Sequence, residues 1–113
     1  MHEMSIAESL VELIEEEGRA QGFARVKQIR VKVGALGHVE PAVLLFCFDA
    51  VSHGTIAEGA RLELETVAGE GWCARCRLTV TIAERYDVCP QCGQAHVQMT
   101  AGDELRLTEL EVE

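Results

Sequence analysis

A chain of 113 residues and 12.4 kDa has room for one domain, or for one small domain carrying a smaller module, and so short a chain buries a modest share of its surface. Its 48% hydrophobic and 26% charged content is that of an ordinary globular protein, which removes disorder as the default. With 19 acidic residues against 10 basic ones the net charge is -9, a balance that repels phosphate backbones and excludes nucleic acid as an expected partner.

The first element is a helix. Ser5 followed by Glu8 has the form of a capping box, so the helix is expected to start at Ser5. Ile6, Leu10, Leu13 and Ile14 then form one apolar stripe, and Gly18 and Gly22 supply stop signals. The same stretch, "ESLVELIEEEG", is amphipathic and acidic with no Lys or Arg ahead of it, unlike a secretory signal. No run of about 18 apolar residues follows, so no membrane is expected and the expected location is cytoplasmic.

"RVKQIRVKVG" alternates, with Ile29, Val31 and Val33 on one face and Gln28, Arg30 and Lys32 on the other, the period of a half-buried strand. Pro41 suits the first position of a second helix, "AVLLFCFDAVSHGT", which is apolar nearly all round and is therefore expected to be the more buried, with Gly54 as its stop. His53 beside that stop reads as a cation near a helix C-terminus, His38 as an exposed loop residue or accessory ligand, and Cys47 as a small buried hydrophobe. "RLELETV" gives a second strand and "DELRLTELEVE" a third at the end of the chain. Residues 69–101 between them differ in composition and read as an insertion.

That insertion carries "CARC" and "CPQC". Cys73, Cys76, Cys89 and Cys92 form two C-x-x-C pairs, each able to turn both sulfurs toward one ion, and together they close a tetrahedron of the kind Zn(II) takes, about 2.3 Å from each sulfur. The intervening "RLTVTIAERYDV" has room for a short hairpin, with Trp72, Val80, Ile82 and Tyr86 as its expected apolar cluster. Two disulfides would need an oxidising compartment, and a thioredoxin-type dithiol uses one such pair beside a βαβ unit. Iron is the closer competitor, since "CPQCG" resembles a rubredoxin knuckle, although "CARCR" does not. Four thiolates leave no open coordination position, so the metal reads as structural.

No nucleophile with a His partner, phosphate loop or H-E-x-x-H motif is present, so the chain is not expected to be an enzyme. The opening "MHEMS" offers different chemistry. The Met1 α-amine, the His2 amide nitrogen and imidazole Nδ1, and the Glu3 amide nitrogen can close consecutive five- and six-membered chelate rings. Four nitrogens in one plane suit Ni(II) or Cu(II) better than Zn(II). The bulk of His2 should also keep Met1 in place. The competing reading is a frayed end that ligates nothing.

"MHEMS", "VKVGAL", "VEPAVLLFCFDAVSHGTIAEGARLELE", the paired "CARC" and "CPQCG" and the closing "DELRLTELEVE" stand in an order and spacing similar to those of the HypA/HybF family of hydrogenase-maturation nickel metallochaperones. The resemblance implies an α/β (α+β) fold in which two helices lie on a three-stranded sheet, with a small zinc-ribbon-like domain inserted. The nickel-binding domain would take residues 1–68 and the C-terminal strand 102–113, and the zinc domain residues 69–101. It also implies transferable Ni(II) on Met1, His2 and Glu3, and structural Zn(II) on Cys73, Cys76, Cys89 and Cys92. The implied partners are the GTPase HypB and the precursor of the hydrogenase large subunit, with urease as a further enzyme served in some organisms and a homodimer among the implied assemblies. Some family members carry a His beside a C-x-x-C pair; here those flanks are Arg77 and Gly93, with His96 the nearest His, so zinc-ligand exchange is not supported. A zinc adaptor that binds no nickel, and an iron-bearing electron carrier, are the alternatives from other functional classes.

Overall fold

The computed structural model describes residues 2–113. In chain order the elements are α1 (Glu3–Gln21), β1 (Val26–Gly34), a 3-10 turn (Ala35–Gly37), α2 (Pro41–Val51), β2 (Arg61–Val67), β3 (Gly69–Cys73), β4 (Leu78–Ile82), β5 (Gln98–Ala101) and β6 (Leu105–Val112). They form two helices and two three-stranded sheets, ordered β2-β1-β6 and β4-β3-β5. One compact unit contains the chain through Val31, Val39–Glu65 and Arg106–Glu113; the other contains Lys32–His38 and Thr66–Leu105.

In the first unit α1 buries Ala7, Leu10, Val11 and Ile14, the stripe that its sequence period requires, and packs on α2. Its start differs from the expected capping box. The helix begins at Glu3 with His2 as N-cap, and no side chain caps it. Ile6 N–H donates to the His2 carbonyl at 3.0 Å, which places Ser5 inside the first turn. Gly22 does end the helix, in the left-handed conformation and with its N–H on the Gly18 carbonyl at 2.8 Å. Gly18 is not a stop: it lies buried in the helix, where a Cβ would stand 2.7 Å from Ile56 Cδ1.

The second helix is less buried than its composition suggests. Only Leu44, Cys47 and Phe48 are inside, while Val43 and Leu45 are exposed and Phe46 is 75% exposed. An 11-residue helix in a chain this small has neighbours on one side only. In the sheet, Arg30 on the central strand pairs with Glu63 of β2 at 3.3 Å and Glu109 of β6 at 3.1 Å, so one guanidinium spans all three strands. Antiparallel pairing of β1 and β6 is marked by Gly34 N–H on the Glu104 carbonyl and Glu113 N–H on the Arg25 carbonyl.

In the second unit β3 pairs antiparallel with β4, Gly69 opposite Ile82 through Cys73 opposite Leu78, and with β5 on its other edge. The hairpin therefore wraps the first cysteine pair instead of lying wholly between the two pairs. Its core is Leu36, Cys73, Val80, Ile82, Cys89 and Val97. Trp72 and Tyr86, expected in that cluster, are 43% and 84% exposed. The reason for Trp72 is the pleat: Cys73 points inward, so the residue before it on the strand points outward. Leu36, from the 3-10 turn, joins that core and sits directly over Gly69, where a Cβ would meet its Cγ and Cδ1 at 2.6 Å. Leu36→Ala should lower unfolding stability by about 2–5 kcal/mol, the usual cost of a buried leucine truncation. Gly69→Val should destabilise through overpacking at the same contact. Denaturant melts of both variants check this; unchanged midpoints would contradict the packing.

Candidate metal centre

Two chain reversals of the same design bring the cysteines together. Arg77 N–H donates to the Cys73 carbonyl and Gly93 N–H to the Cys89 carbonyl, both at 2.8 Å. In each, the residue that closes the turn has positive φ, 56° at Arg77 and 65° at Gly93. Glycine takes that conformation freely, whereas at Arg77 the Cβ makes it unfavourable by roughly 1–2 kcal/mol. A C-x-x-C spacing followed by such a residue brings both sulfurs of the turn to one side. Cys76 N–H points at Cys73 Sγ at 3.4 Å in the first turn, and Cys89 N–H is held by the Ala95 carbonyl at 2.8 Å in the second.

All four Sγ atoms lie within 4.8 Å of one another. Across the two turns, Cys73 Sγ and Cys92 Sγ are 3.8 Å apart and Cys76 Sγ and Cys89 Sγ 3.9 Å. A regular tetrahedron with metal–sulfur distances near 2.3 Å has sulfur–sulfur edges of about 3.8 Å. None of the cysteines is in a disulfide. The donor set and spacing therefore fit one tetrahedral ion such as zinc, with Cys73 and Cys89 buried and Cys76 and Cys92 half-buried. Among the described residues no other group of three or more His, Cys, Asp or Glu side chains converges in this way.

The thiols are electrostatically unequal. N–H groups of Gln94 and Ala95 aimed at Cys92 pull its pKa down to about 6, while burial, reinforced by hydrogen bonds with the neighbouring thiols, pushes Cys76 up to about 12. With the turns in this arrangement and no metal bound, the thiolate is favoured at Cys92 over Cys76, so Cys92 should be alkylated by iodoacetamide before Cys76. Peptide mass spectrometry over a time course reads the order, and equal rates would contradict it.

The other sequence-derived ligands cluster at the head of α1. His2 is exposed at the N-cap with φ -95° and ψ 75°, and Glu3 follows as the first helical residue; Met1 lies outside the described residues. The Glu3 side chain is buried, and its Oε2 accepts the backbone N–H of Glu40 at 3.0 Å. Glu40 is the N-cap of α2, so the first residue of one helix fastens the first turn of the other. Sequence reasoning missed this bond; the signal available was Glu40 ahead of Pro41, an N-cap whose side chain makes no cap. His38, in a left-handed turn, lines a shallow surface cavity with Glu84, Arg85, Tyr86 and Asp87, and His53 stands 3.9 Å from Glu58. Neither joins the cysteines or the helix head.

The family model described as "Hydrogenase/urease nickel incorporation, metallochaperone, hypA" matches residues 1–112. The chain belongs to the HypA family. It is 62% identical over 113 residues to the hydrogenase maturation factor HypA of Methylocella silvestris, covering all of both chains, and 53% identical over 112 residues to that of Rhizobium leguminosarum bv. viciae, covering 99% of each. The solution structure of the Ni metallochaperone HypA from Helicobacter pylori superposes with a TM-score of 0.73 at 26% identity, covering 99% of this chain and 97% of that one. HypA proteins are nickel metallochaperones of hydrogenase maturation and not enzymes. The two-helix, two-sheet fold agrees with that membership.

In this HypA chain the Glu40 N–H, followed by its own backbone N–H, holds the Glu3 carboxyl below its ordinary value of 4.5. A carboxylate with a lowered folded-state pKa contributes stability that is complete above the ordinary value and is lost as pH falls through the folded one. Acidification below about 4.5 should therefore loosen the joint between the helix heads, and Glu3→Gln should remove that part of the acid dependence. Amide-proton shifts of Glu3 and Glu40 followed against pH test it; a Glu40 signal that ignores Glu3 protonation would contradict the bond.

Proposed function

We propose that this HypA protein carries Ni(II) on its first three residues and delivers it for assembly of a nickel-iron hydrogenase, while Cys73, Cys76, Cys89 and Cys92 hold a structural Zn(II). The nickel ligands are the free α-amine of Met1, the amide nitrogen and Nδ1 of His2, and the amide nitrogen of Glu3. The observation that carries this reading is the position of His2 and Glu3 at the N-cap and first residue of α1. Backbone N–H groups there have no acceptor within a helix, so loss of their protons to a metal removes no helical donor, and the Glu3 N–H gives up only its contact with the Glu3 carboxylate. The positive end of the helix macrodipole favours the two amidate charges so formed. The Glu3 carboxylate, tied to Glu40, keeps this stretch on the body of the protein.

Loading requires one local movement. A five-membered chelate ring through the His2 and Glu3 amide nitrogens needs the backbone between them nearly eclipsed, and ψ of His2 is 75°. Rotating it turns the His2 carbonyl, which accepts the first helical bond from Ile6, so nickel is held at the expense of that bond. Such a site releases its ion readily to a partner that supplies thiolates, one ligand at a time. The partners of this reading are the GTPase HypB and the hydrogenase large-subunit precursor, in the cytoplasm, with self-association into a homodimer and service to urease as further parts of it.

His2→Ala should abolish tight nickel binding in equilibrium dialysis of untagged protein while zinc content and the melting curve stay unchanged. Loss of zinc in that variant, or retention of nickel, would sink the assignment.

A further inference from the structure

We propose that Cys76 is the reactive sulfur of the zinc-loaded thiol cluster, the atom that a small electrophile or a hydroperoxide attacks, and that Cys89 then closes a disulfide with it. The inference rests on the zinc reading given above and goes beyond it by giving the four ligands unequal roles. In the loaded site all four sulfurs are thiolates, so what separates them is which can be reached and which have their lone pairs engaged. Access removes two of them: Cys73 and Cys89 are buried, while Cys76 and Cys92 are half-buried.

Hydrogen bonding separates the remaining pair. Backbone N–H groups of Gln94 and Ala95 are aimed at Cys92 Sγ, which draws electron density from that sulfur and weakens it as a nucleophile. Cys76 Sγ meets no backbone N–H among the described residues, only the other three sulfurs. The asymmetry has a local cause. Gly93 follows Cys92 with φ 65°, and the chain beyond it folds back far enough for the Ala95 carbonyl to accept the Cys89 N–H at 2.8 Å. After Cys76 the chain leaves instead through Arg77 into β4, which pairs with β3 from Leu78 onward. Without metal the two N–H groups favour the thiolate at Cys92; with every sulfur already ionised they only dull it. The order of reactivity therefore reverses on loading.

The chemistry balances with hydrogen peroxide as the oxidant. Cys76 Sγ attacks one peroxide oxygen: an S–O bond forms, the O–O bond breaks and hydroxide leaves, giving a sulfenic acid. Cys89 Sγ, 3.9 Å away across the two turns, attacks that sulfur; an S–S bond forms, the S–O bond breaks and a second hydroxide leaves. Both hydroxides take protons from the buffer, so two thiolates give up two electrons and one peroxide becomes two waters. Cys73 and Cys92, 3.8 Å apart, are then the remaining sulfur donors, too few to close a tetrahedral site, and the ion is released. The cluster that fastens the second unit thereby also responds to oxidising conditions, and a dithiol reductant with zinc restores it.

The test uses full-length untagged protein whose zinc content has been measured by elemental analysis. Substoichiometric iodoacetamide, followed over time by peptide mass spectrometry, should modify Cys76 faster than Cys92 by about fivefold or more, the scale set by one hydrogen bond of ordinary net strength. Zinc release, read with a colorimetric chelator, should keep pace with modification of Cys76. Hydrogen peroxide should give a peptide pair linked through Cys76 and Cys89 as the first disulfide, and dithiothreitol with added zinc should reverse both changes. Cys92 reacting as fast as Cys76, a first disulfide within either C-x-x-C pair, or zinc release that runs ahead of Cys76 modification would each overturn the proposal. A zinc-loaded chain that reacts elsewhere overturns this inference alone; a chain that holds no zinc overturns the zinc reading and this inference together.

Discussion

Convergence of four sulfurs on one point is the constraint from which most of the second unit follows. That unit has few large apolar side chains of its own, and its buried set mixes Cys73 and Cys89 with Leu36, Val80, Ile82 and Val97. To bring the thiols within tetrahedral reach, each turn must close from the first cysteine's carbonyl to the N–H of the residue after the second, with that residue left-handed. Once Cys73 faces inward, the pleat of β3 puts Gly71 and Gly69 inward and Glu70 and Trp72 outward. The inward positions are glycines because Val97 and Leu36 occupy the space a side chain would need. The thiol cluster and the apolar core are one object, so a metal bound there, contributing on the order of 10–16 kcal/mol, would hold together a unit with few core residues of its own.

The first unit is organised differently, by ordinary packing of α1 and α2 and by a sheet whose central arginine holds both neighbours. Its unusual feature is the head of α1. Helix starts are commonly closed by their own N-cap side chain, yet here the N-cap side chain makes no cap and the first helical carboxylate is committed to the second helix. In the reading proposed above this serves the cargo: the side chain of Glu3 anchors through the Glu40 N–H while its backbone ligates, and the carboxylate keeps that anchor when it loses the contact with its own N–H. The exposed apolar face of α2 begins at the same joint, since Glu40 precedes Pro41, and Phe46 stands out on it.

Much of this was legible beforehand, for reasons that can be stated residue by residue. The cysteine pairs were legible because a two-residue spacing has one common use when repeated, and the strands β1 and β2 because apolar and polar residues alternate from Ile29 to Val33 and from Leu62 to Glu65. The capping box at Ser5 misled because a local motif competes with a bond between residues 3 and 40, and no local pattern reveals which wins. The burial of α2 was overestimated because composition cannot say how many neighbours a helix has. Trp72 reads as core by its apolar surface, but Cys73 sets the phase of β3 and turns it outward, while Tyr86 lies in the turn beyond β4 and is exposed. Leu36 was overlooked because it lies far from the cysteines along the chain and reaches them only through the fold.

The amino-acid order alone determined the class of the molecule, the four cysteines that converge, the strands of the three-stranded framework and the acidic exterior, since each depends on side-chain chemistry and spacing within a few residues. Tertiary structure alone decided where α1 starts, which side chains close the thiol cluster, which face of α2 stays open and which strand of the sheet is left with a bare edge. Those features depend on which distant segments meet. Local periodicity carries no information about that meeting, because burial of a residue is a property of its neighbours in space and not of its neighbours in the chain.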